Sequence, residues 1–501
     1  MKDKIIFWIN FFLLYFYVAI SIQKKLDVEL YAIIDIANRP KKFFERQKFV
    51  DFKKSWFYFD HVTNFNDKPD MNYLENFEKK YKIPLWRLAI NERMFYRFNR
   101  LYKFQTNEIL SILEKECKFY EKVLDDVKPD FMITYDPPLH NQKLFYDLCV
   151  AKGIKVLGLY ITKVGNRCII AQNGKTLDLD KTLEGIKSQN RNLEEIKKLL
   201  SSSGYSDIIK NYLKGRENTR IDKLRAVTEY VFKSDNSNIK THYSYYGRTK
   251  SKVLIDAIKF SIGKKNRKNF MDHNLKTDVN LKTPFIYMPL AVDEESNLLN
   301  YAPFYTNQIE VIRHIIKSMP IKYKLYVKEH PGEEVRGWRN ISEYKEILDI
   351  PNVTLIHPSV PSEKLFRNCS LVITIRGTTG LDAAFYGKPS VIFGDLSYSL
   401  LPSVFKVDAL EELPNIIRKA VTKSADVHDL DKYITLIQEN SFAFDFLGFE
   451  IIRSQYFYAG KILSDVEISE EKMGKFLNKY QSTMDNLANR YIEKINRQSK
   501  D

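Results

Sequence analysis

Between residues 285 and 422 short apolar runs alternate with amphipathic segments so regularly that few folds can accept the chain. FIYMPL, KLYVKEHP (324–331), VTLIH (353–357), LVITI (371–375) and PSVIFG (389–394) read as buried strands. YTNQIEVIRHIIKSMP (305–320), SEYKEILDI, PSEKLFRNC, GTTGLDAAFYG (377–387) and LEELPNIIRKAV read as the turns and helices after them. Strands without a polar face belong in a parallel sheet covered on both sides. Their alternation with helices at this spacing predicts a doubly wound α/β unit. A shorter passage repeats the pattern: KPDFMITYD (128–136) as strand, PPLHNQKLFYDLCVAKG (137–153) as turn and helix, IKVLGLY (154–160) as strand. That is a βαβ unit, which crosses over right-handed.

The run IIFWINFFLLYFYVAISI (5–22) behind MKDK is about as long as a bilayer-spanning helix, which takes roughly 20 residues. No small-residue cleavage site follows it, which argues against a signal peptide. The competing reading is a strand IIFWI, a helix from about Asn10 to Leu26 and a second strand VELYAIID (28–35). Asn10 supplies a cap, Gln23, Lys24 and Lys25 a polar end, and the immediate return to apolar sequence at Val28 favours this second reading. A cytoplasmic protein is expected, with peripheral contact at the inner face of the membrane as an addition.

The expected domains are an N-terminal Rossmann-like domain (1–175) with a helical insertion at about 36–127, a helical basic connecting region (176–275), a C-terminal Rossmann-like domain (276–425) and C-terminal helices (426–501). The charge balance of 79 basic against 63 acidic side chains, +16, favours anionic partners. Nucleic acid is disfavoured among them, because the basic residues form no reader motif. Arg248 to Lys268 holds eight Lys or Arg and one acid, Asp256, interleaved with Val253, Leu254, Ile255, Ile258, Phe260 and Ile262. This reads as a basic helix covering the core, the alternative being a surface lying against anionic lipid. Glu467–Lys500 reads as an amphipathic helix or helix pair that packs back, mediates dimers or touches membrane. Four scattered cysteines without a CxxC pair and eight histidines without an HExxH cluster predict no metal, and no cofactor is expected.

In doubly wound sheets ligands bind beyond the carboxyl ends of the strands, near the switch point. Asp293, Glu294 and Glu295 follow the first strand of the 285–422 unit, and Lys328, Glu329, His330 and Pro331 the second. Arg376, Gly377, Thr378, Thr379 and Gly380, with Asp382 a turn later, follow the fourth, and Asp395 and Tyr398 the fifth. The 376–380 loop has the make-up of a phosphate site: glycines for close backbone approach, a helix N-terminus behind them, threonine hydroxyls and a guanidinium. The plainer alternative is a tight strand–helix turn with a capping threonine. Asp382 is a candidate for a ribose or sugar hydroxyl. Lys328 can neutralise phosphate and His330 can hold a leaving phosphate or move a proton. Glu294 or Glu295 is placed to act as general base toward an acceptor hydroxyl.

The stretch PLAVDEES, YKLYVKEHP and VTLIHPSVPSEKLFRNCSLVITIRGTTGLDAAFYGKPSVIFGD resembles the capsule polysaccharide biosynthesis family, surface-carbohydrate glycosyltransferase-like proteins related to bacterial capsule Kdo transferases. The family's KeHP element matches Lys328–Pro331 and its GTaGxEA element Gly377–Ala383, with Asp382 in place of the usual glutamate. Glu295 falls where the family often has a glutamate, although the preceding proline is missing. The good match spans about 285–407. In the N-terminal half only PPLHNQKLFYDLCVAKGIKVLGL resembles the family, through His140, so Asp136 and His140 are the acceptor-side candidates. The resemblance implies a GT-B-like α/β fold, two Rossmann-like domains facing across a cleft, with extra helical segments. It implies metal-independent transfer of a sugar from a nucleotide sugar, a CMP-activated acidic sugar among the donors, to a glycan or lipid-linked acceptor. On this reading His330, Glu295 and Lys328 are catalytic, and Arg376, Gly377, Thr378, Thr379, Gly380, Asp382, Pro331 and Asp395 bind the donor. The same fold also serves nucleotide-sugar epimerases, polyol-phosphate transferases and non-catalytic scaffolds that bind polysaccharide, and these remain alternatives.

Overall fold

In the computed structural model the apolar run is strand β1 (Lys4–Asn10) and a helix (Leu14–Gln23), and the chain returns at once as β2 (Glu29–Asp35). The structure describes all residues except 1, 64–67, 173–181, 202–226, 229, 233–241, 459–465 and 499–501. Ile5, Phe7 and Ile9 of β1 enter one core with the helix Leu14–Gln23. Ile6 and Trp8 enter the opposite core with the helices Thr106–Val127 and His140–Ala151. A strand between two cores has no polar face to display. The helix after it is buried at every residue from Leu14 to Ile22 and is therefore apolar all round. The helix Glu470–Gln498, broken at Tyr480 where φ is −114°, lies against it. Tyr17 packs on Phe476 with ring centroids 5.3 Å apart, and Tyr15 on Tyr491 at 6.3 Å. Of the three roles open to the C-terminal stretch, the structure shows packing back. No helix among the described residues is long and apolar enough to cross a membrane.

β3 (Lys54–Phe57), β4 (Phe131–Tyr135), β5 (Lys155–Ile161), β6 (Arg167–Gln172) and, far along the chain, β13 (Phe442–Ala443) complete this sheet in the order β13-β6-β5-β4-β1-β2-β3. β1 to β5 are parallel, while β6 and β13 add an antiparallel edge. The second sheet runs β12 (Val404–Lys406), β11 (Ser390–Ile392), β10 (Leu371–Thr374), β7 (Phe285–Pro289), β8 (Lys324–Lys328), β9 (Val353–Ile356), every pair parallel. Ile286, Met288, Leu325 and Ile373 face one core; Phe285, Tyr287, Tyr326 and Val372 face the other.

Counted in chain order within its own unit, the second sheet is 3-2-1-4-5-6, the dinucleotide-fold order, and the first sheet has the same order before its β13 edge. The fold is thus two Rossmann-like α/β units. The first comprises residues 1–178, 200–254 and 441–501, the second 179–199 and 255–440, so the division falls inside the helix Lys250–Asn274. β3, β6, β12 and β13 have no counterpart in the sequence reading. All lie toward sheet edges, where a few residues with charged neighbours suffice and no long apolar run is needed.

Candidate functional site

The order of the second sheet reverses between β7 and β10, and the loops leaving the carboxyl ends of these strands and their neighbours define its ligand edge. The β7 loop is tied in two directions, toward β8 on one side and toward β10 and β11 on the other.

Toward β8 the tie is Arg339, which the sequence reading missed. It is 7% exposed. Its guanidinium reaches Asp293 at 2.6 Å, Glu329 at 2.9 Å and the carbonyl of Ala291 at 2.5 Å, with Glu333 at 3.8 Å. Gln308 joins the same loop, accepting from the Ala291 N–H at 2.7 Å and donating to Asp293 at 2.5 Å. Tyr344 donates to Glu329 at 2.9 Å. Burial works against the charge of Arg339, but Glu329, Asp293 and Glu333 hold its pKa well above the ordinary value. Burial pushes Glu333 up to about 7, Arg339 pulling the other way and Glu329 adding to the rise. No motif announces this cluster: its members come from four separate stretches, and Arg339 sits in an ordinary-looking GWRN.

Lys328 ends β8 and is buried, its Nζ donating to Ser362 Oγ at 2.8 Å. Burial lowers its pKa to about 8. His330 is half-buried, and burial, then Arg339 and Lys328, lower its pKa to about 4. It is neutral at physiological pH. Its Nδ1 accepts from the Gly332 N–H at 3.0 Å, which leaves the proton on Nε2. What the ring offers a ligand is therefore a neutral N–H donor, rather than the positive charge a histidine beside phosphate suggests. Pro331 is exposed at the start of the turn that follows.

Toward β10 and β11 the tie is Arg376. Its Nε donates to the Asp395 carbonyl at 3.0 Å, its other arm reaches Asn297 Oδ1 at 2.8 Å, and the guanidinium lies 4.5 Å from the Tyr301 ring centroid. The guanidinium thus already braces three loops. The glycines of 377–380 have close neighbours of their own. A Cβ on Gly377 would come within 2.5 Å of Thr374 Oγ1, and one on Gly380 within 2.5 Å of Tyr398 Oη. The Gly377 N–H donates to Thr374 and its carbonyl accepts from Tyr398. The turn is held by its own side chains before any ligand arrives. The Thr378 backbone carbonyl accepts from the N–H groups of Leu381 and Asp382, both at 3.0 Å, while its side chain makes no cap, and the Thr379 hydroxyl is buried without a hydrogen-bond partner among the described residues. Asp382 is partly exposed in the first turn of the helix Thr379–Ala384, and Asp395 is exposed and paired with Lys406 at 2.8 Å. Glu294 pairs with Arg336, whereas Glu295 is exposed at the start of the helix Ser296–Leu299.

Asp136 and His140 belong to the first unit, just beyond β4. Asp136 is partly exposed. His140 is 2% exposed and donates to Glu92 at 2.8 Å and Glu116 at 2.9 Å. Burial opposes its charge, but Glu116 and Glu92 raise its pKa to about 10. The ring is a buried cation with both nitrogens occupied.

Two Rossmann-like units, one with glycine-bearing and basic loops at its switch point, define the class of α/β protein. Residues 184–402 match the model of the capsule polysaccharide biosynthesis protein family, a span holding β7 to β11 and every second-unit loop described above. Over this span the chain is similar to that family. Among curated proteins nothing matches. Among solved structures, the β-Kdo 2,7 transferase KpsC of Thermosulfurimonas dismutans is similar at 11% identity over 72% of this chain and 89% of that one, with a TM-score of 0.32. The UDP-GlcNAc 2-epimerase of Methanocaldococcus jannaschii, in complex with UDP-GlcNAc and UDP, is 15% identical over 88% and 99%, with a TM-score of 0.25. That of Neisseria meningitidis, bound to UDP-GlcNAc, is 14% identical over 88% and 99%, also at 0.25.

Proposed function

We propose that the protein is a glycosyltransferase of capsule or surface polysaccharide assembly that takes its sugar from a nucleotide donor bound at the carboxyl edge of the second sheet. The observation that carries this reading is the set of braced loops at the switch point between β7 and β10, lying within the family-matched span. In the proposed reaction an acceptor hydroxyl attacks the anomeric carbon, the bond from that carbon to the nucleotide phosphate oxygen breaks, and Glu295 takes the hydroxyl proton. Lys328 and the Nε2–H of His330 stabilise charge on the departing phosphate, a task for which preset donors are effective. Arg376 and Arg339 keep the loops in register and need not touch the donor. A CMP-activated acidic sugar and a glycan or lipid-linked acceptor are the preferred substrates. Protein cations compensate the phosphate, so transfer is expected to survive chelation of divalent metal.

The test is a panel of CMP- and UDP-sugars incubated with the protein and oligosaccharide acceptors in EDTA, with products resolved by mass spectrometry. Free nucleotide appearing together with an extended acceptor is the expected result. A donor-dependent epimer without transfer, or tight nucleotide binding without turnover across the panel, overturns it. Glu295→Gln should lower kcat by about 10²–10⁴, the usual range for a general base.

A further inference from the structure

The sequence of 248–268 leads one to expect its apolar residues on the core, but the structure divides them between two faces of one helix, Lys250–Asn274. Phe260, Arg267 and Met271 face the second unit. Phe260 packs under Gly337, Arg267 Nε donates to the Gly337 carbonyl at 2.6 Å, and Met271 is buried in the core. Ile255, Ile258 and Ile262, spaced i, i+3, i+7, share a different stripe and are 52%, 61% and 58% exposed. At about 100° per residue this stripe lies nearly opposite the packed one. Lys252, Lys259 and Lys265 border it, all exposed, and among the described residues none of the three has an ion-pair partner. Asp256, partly exposed on the flank, is the one acid between Arg248 and Lys268.

We propose that this outer face is a docking surface for an anionic lipid bilayer, with the isoleucines entering the headgroup–acyl boundary and the lysines meeting lipid phosphates. An apolar stripe bordered by cations is what such a surface selects: apolar burial supplies grip, and anionic headgroups supply attraction. A solvated face would not present three large β-branched side chains in register. A second copy of the chain is a poorer occupant, because apposing two such faces brings their lysine rows together. Nucleic acid would leave the isoleucine stripe facing charge. The surface lies outside the proposed transfer site, and the transfer reading stands or falls separately from it.

The experiment is co-sedimentation of the full-length protein with vesicles of phosphatidylcholine alone or mixed equally with phosphatidylglycerol. Wild type should partition at least tenfold more strongly onto the anionic vesicles, and less so as salt is raised. Ile258→Glu with Ile262→Glu, and separately Lys252→Glu with Lys259→Glu and Lys265→Glu, should each reduce that partition at least tenfold. Their melting temperatures should match wild type, since all five side chains are exposed. Lys282→Glu with Lys322→Glu and Lys423→Glu changes net charge equally at exposed positions of the second unit away from this helix, and should retain most of the binding. Equal binding to both vesicle types, undiminished binding by the isoleucine variant, or equal loss in the control triple overturns the proposal. So does a wild-type dimer, seen by sedimentation velocity, that the isoleucine variant converts to monomer.

Discussion

Replacing Arg339 by methionine keeps most of its volume and removes the single guanidinium that Asp293, Glu329 and Glu333 share. Two direct ion pairs and a hydrogen bond to Ala291 go with it. Stranding a buried charge by deleting its partner costs about 3–5 kcal/mol. The second unit has about 200 residues, a size at which each kcal/mol moves Tm by about 2–4 °C, so its transition should fall by about 6–20 °C. The deficit should depend on pH in a definite direction. Glu333 already stands at about 7 against an ordinary 4.5, a difference of about 3 kcal/mol in the free energy of ionisation. A carboxyl whose pKa is higher folded than unfolded binds more protons in the native state, so its contribution falls as pH rises from 4.5 through 7. Losing Arg339 raises the carboxylates further, and the variant should regain stability on acidification from about pH 8 to about pH 5.5 more than wild type does. Arg339→Lys keeps a charge but not the fork, and should lie between the two. Calorimetric melts of all three proteins across this pH range are the assay. An Arg339→Met transition within about 2 °C of wild type, or a deficit that does not shrink on acidification, would refute the account of the cluster.

Lys328→Met should weaken donor binding by about ten- to a hundredfold, the worth of one charge-assisted contact, and wild-type kcat/KM should decline as pH rises through about 8. His330→Ala should depress kcat more than it raises KM, and the wild-type rate should show no titration between about pH 5 and pH 7, since the imidazole is already neutral there. Gly380→Ala sets a methyl group against Tyr398 and should cost about 1–3 kcal/mol. Adding Tyr398→Phe should return part of that loss in thermal melts, because the nearest clashing atom is the hydroxyl.

Much of the second unit is legible in its sequence because parallel strands between two helical layers must be apolar throughout. β7 to β11 and the helices after them announce themselves in this way, and the switch-point rule then says which loops to inspect. The amino-terminal strand, helix and strand are legible too, given the polar break at Gln23–Lys25. What hides is whatever depends on the far side of a contact. β3 and β6 owe their existence to partner strands. Arg339 is one arginine among many until the fold sets it between carboxylates from three other positions. Arg376, conspicuous beside the glycines, proves to be occupied with Asn297, Tyr301 and the Asp395 carbonyl, partners no spacing rule could name. The two faces of Lys250–Asn274 look alike in sequence, and packing alone distinguishes them.

The packing of Glu470–Gln498 onto Leu14–Gln23 also sets a timetable. Tyr15 and Tyr491, whose hydroxyls are 3.4 Å apart, are separated by 476 positions. At roughly 5–20 residues per second a ribosome takes about half a minute to a minute and a half to cover that distance. Until then the apolar helix beside β1 lacks its outer cover, while the stretch 255–440 emerges in one piece and can close its own sheet. The part of the first unit made earliest is therefore completed after the second unit has been synthesised, and for that interval the face of this apolar helix that Glu470–Gln498 covers has no cover from it.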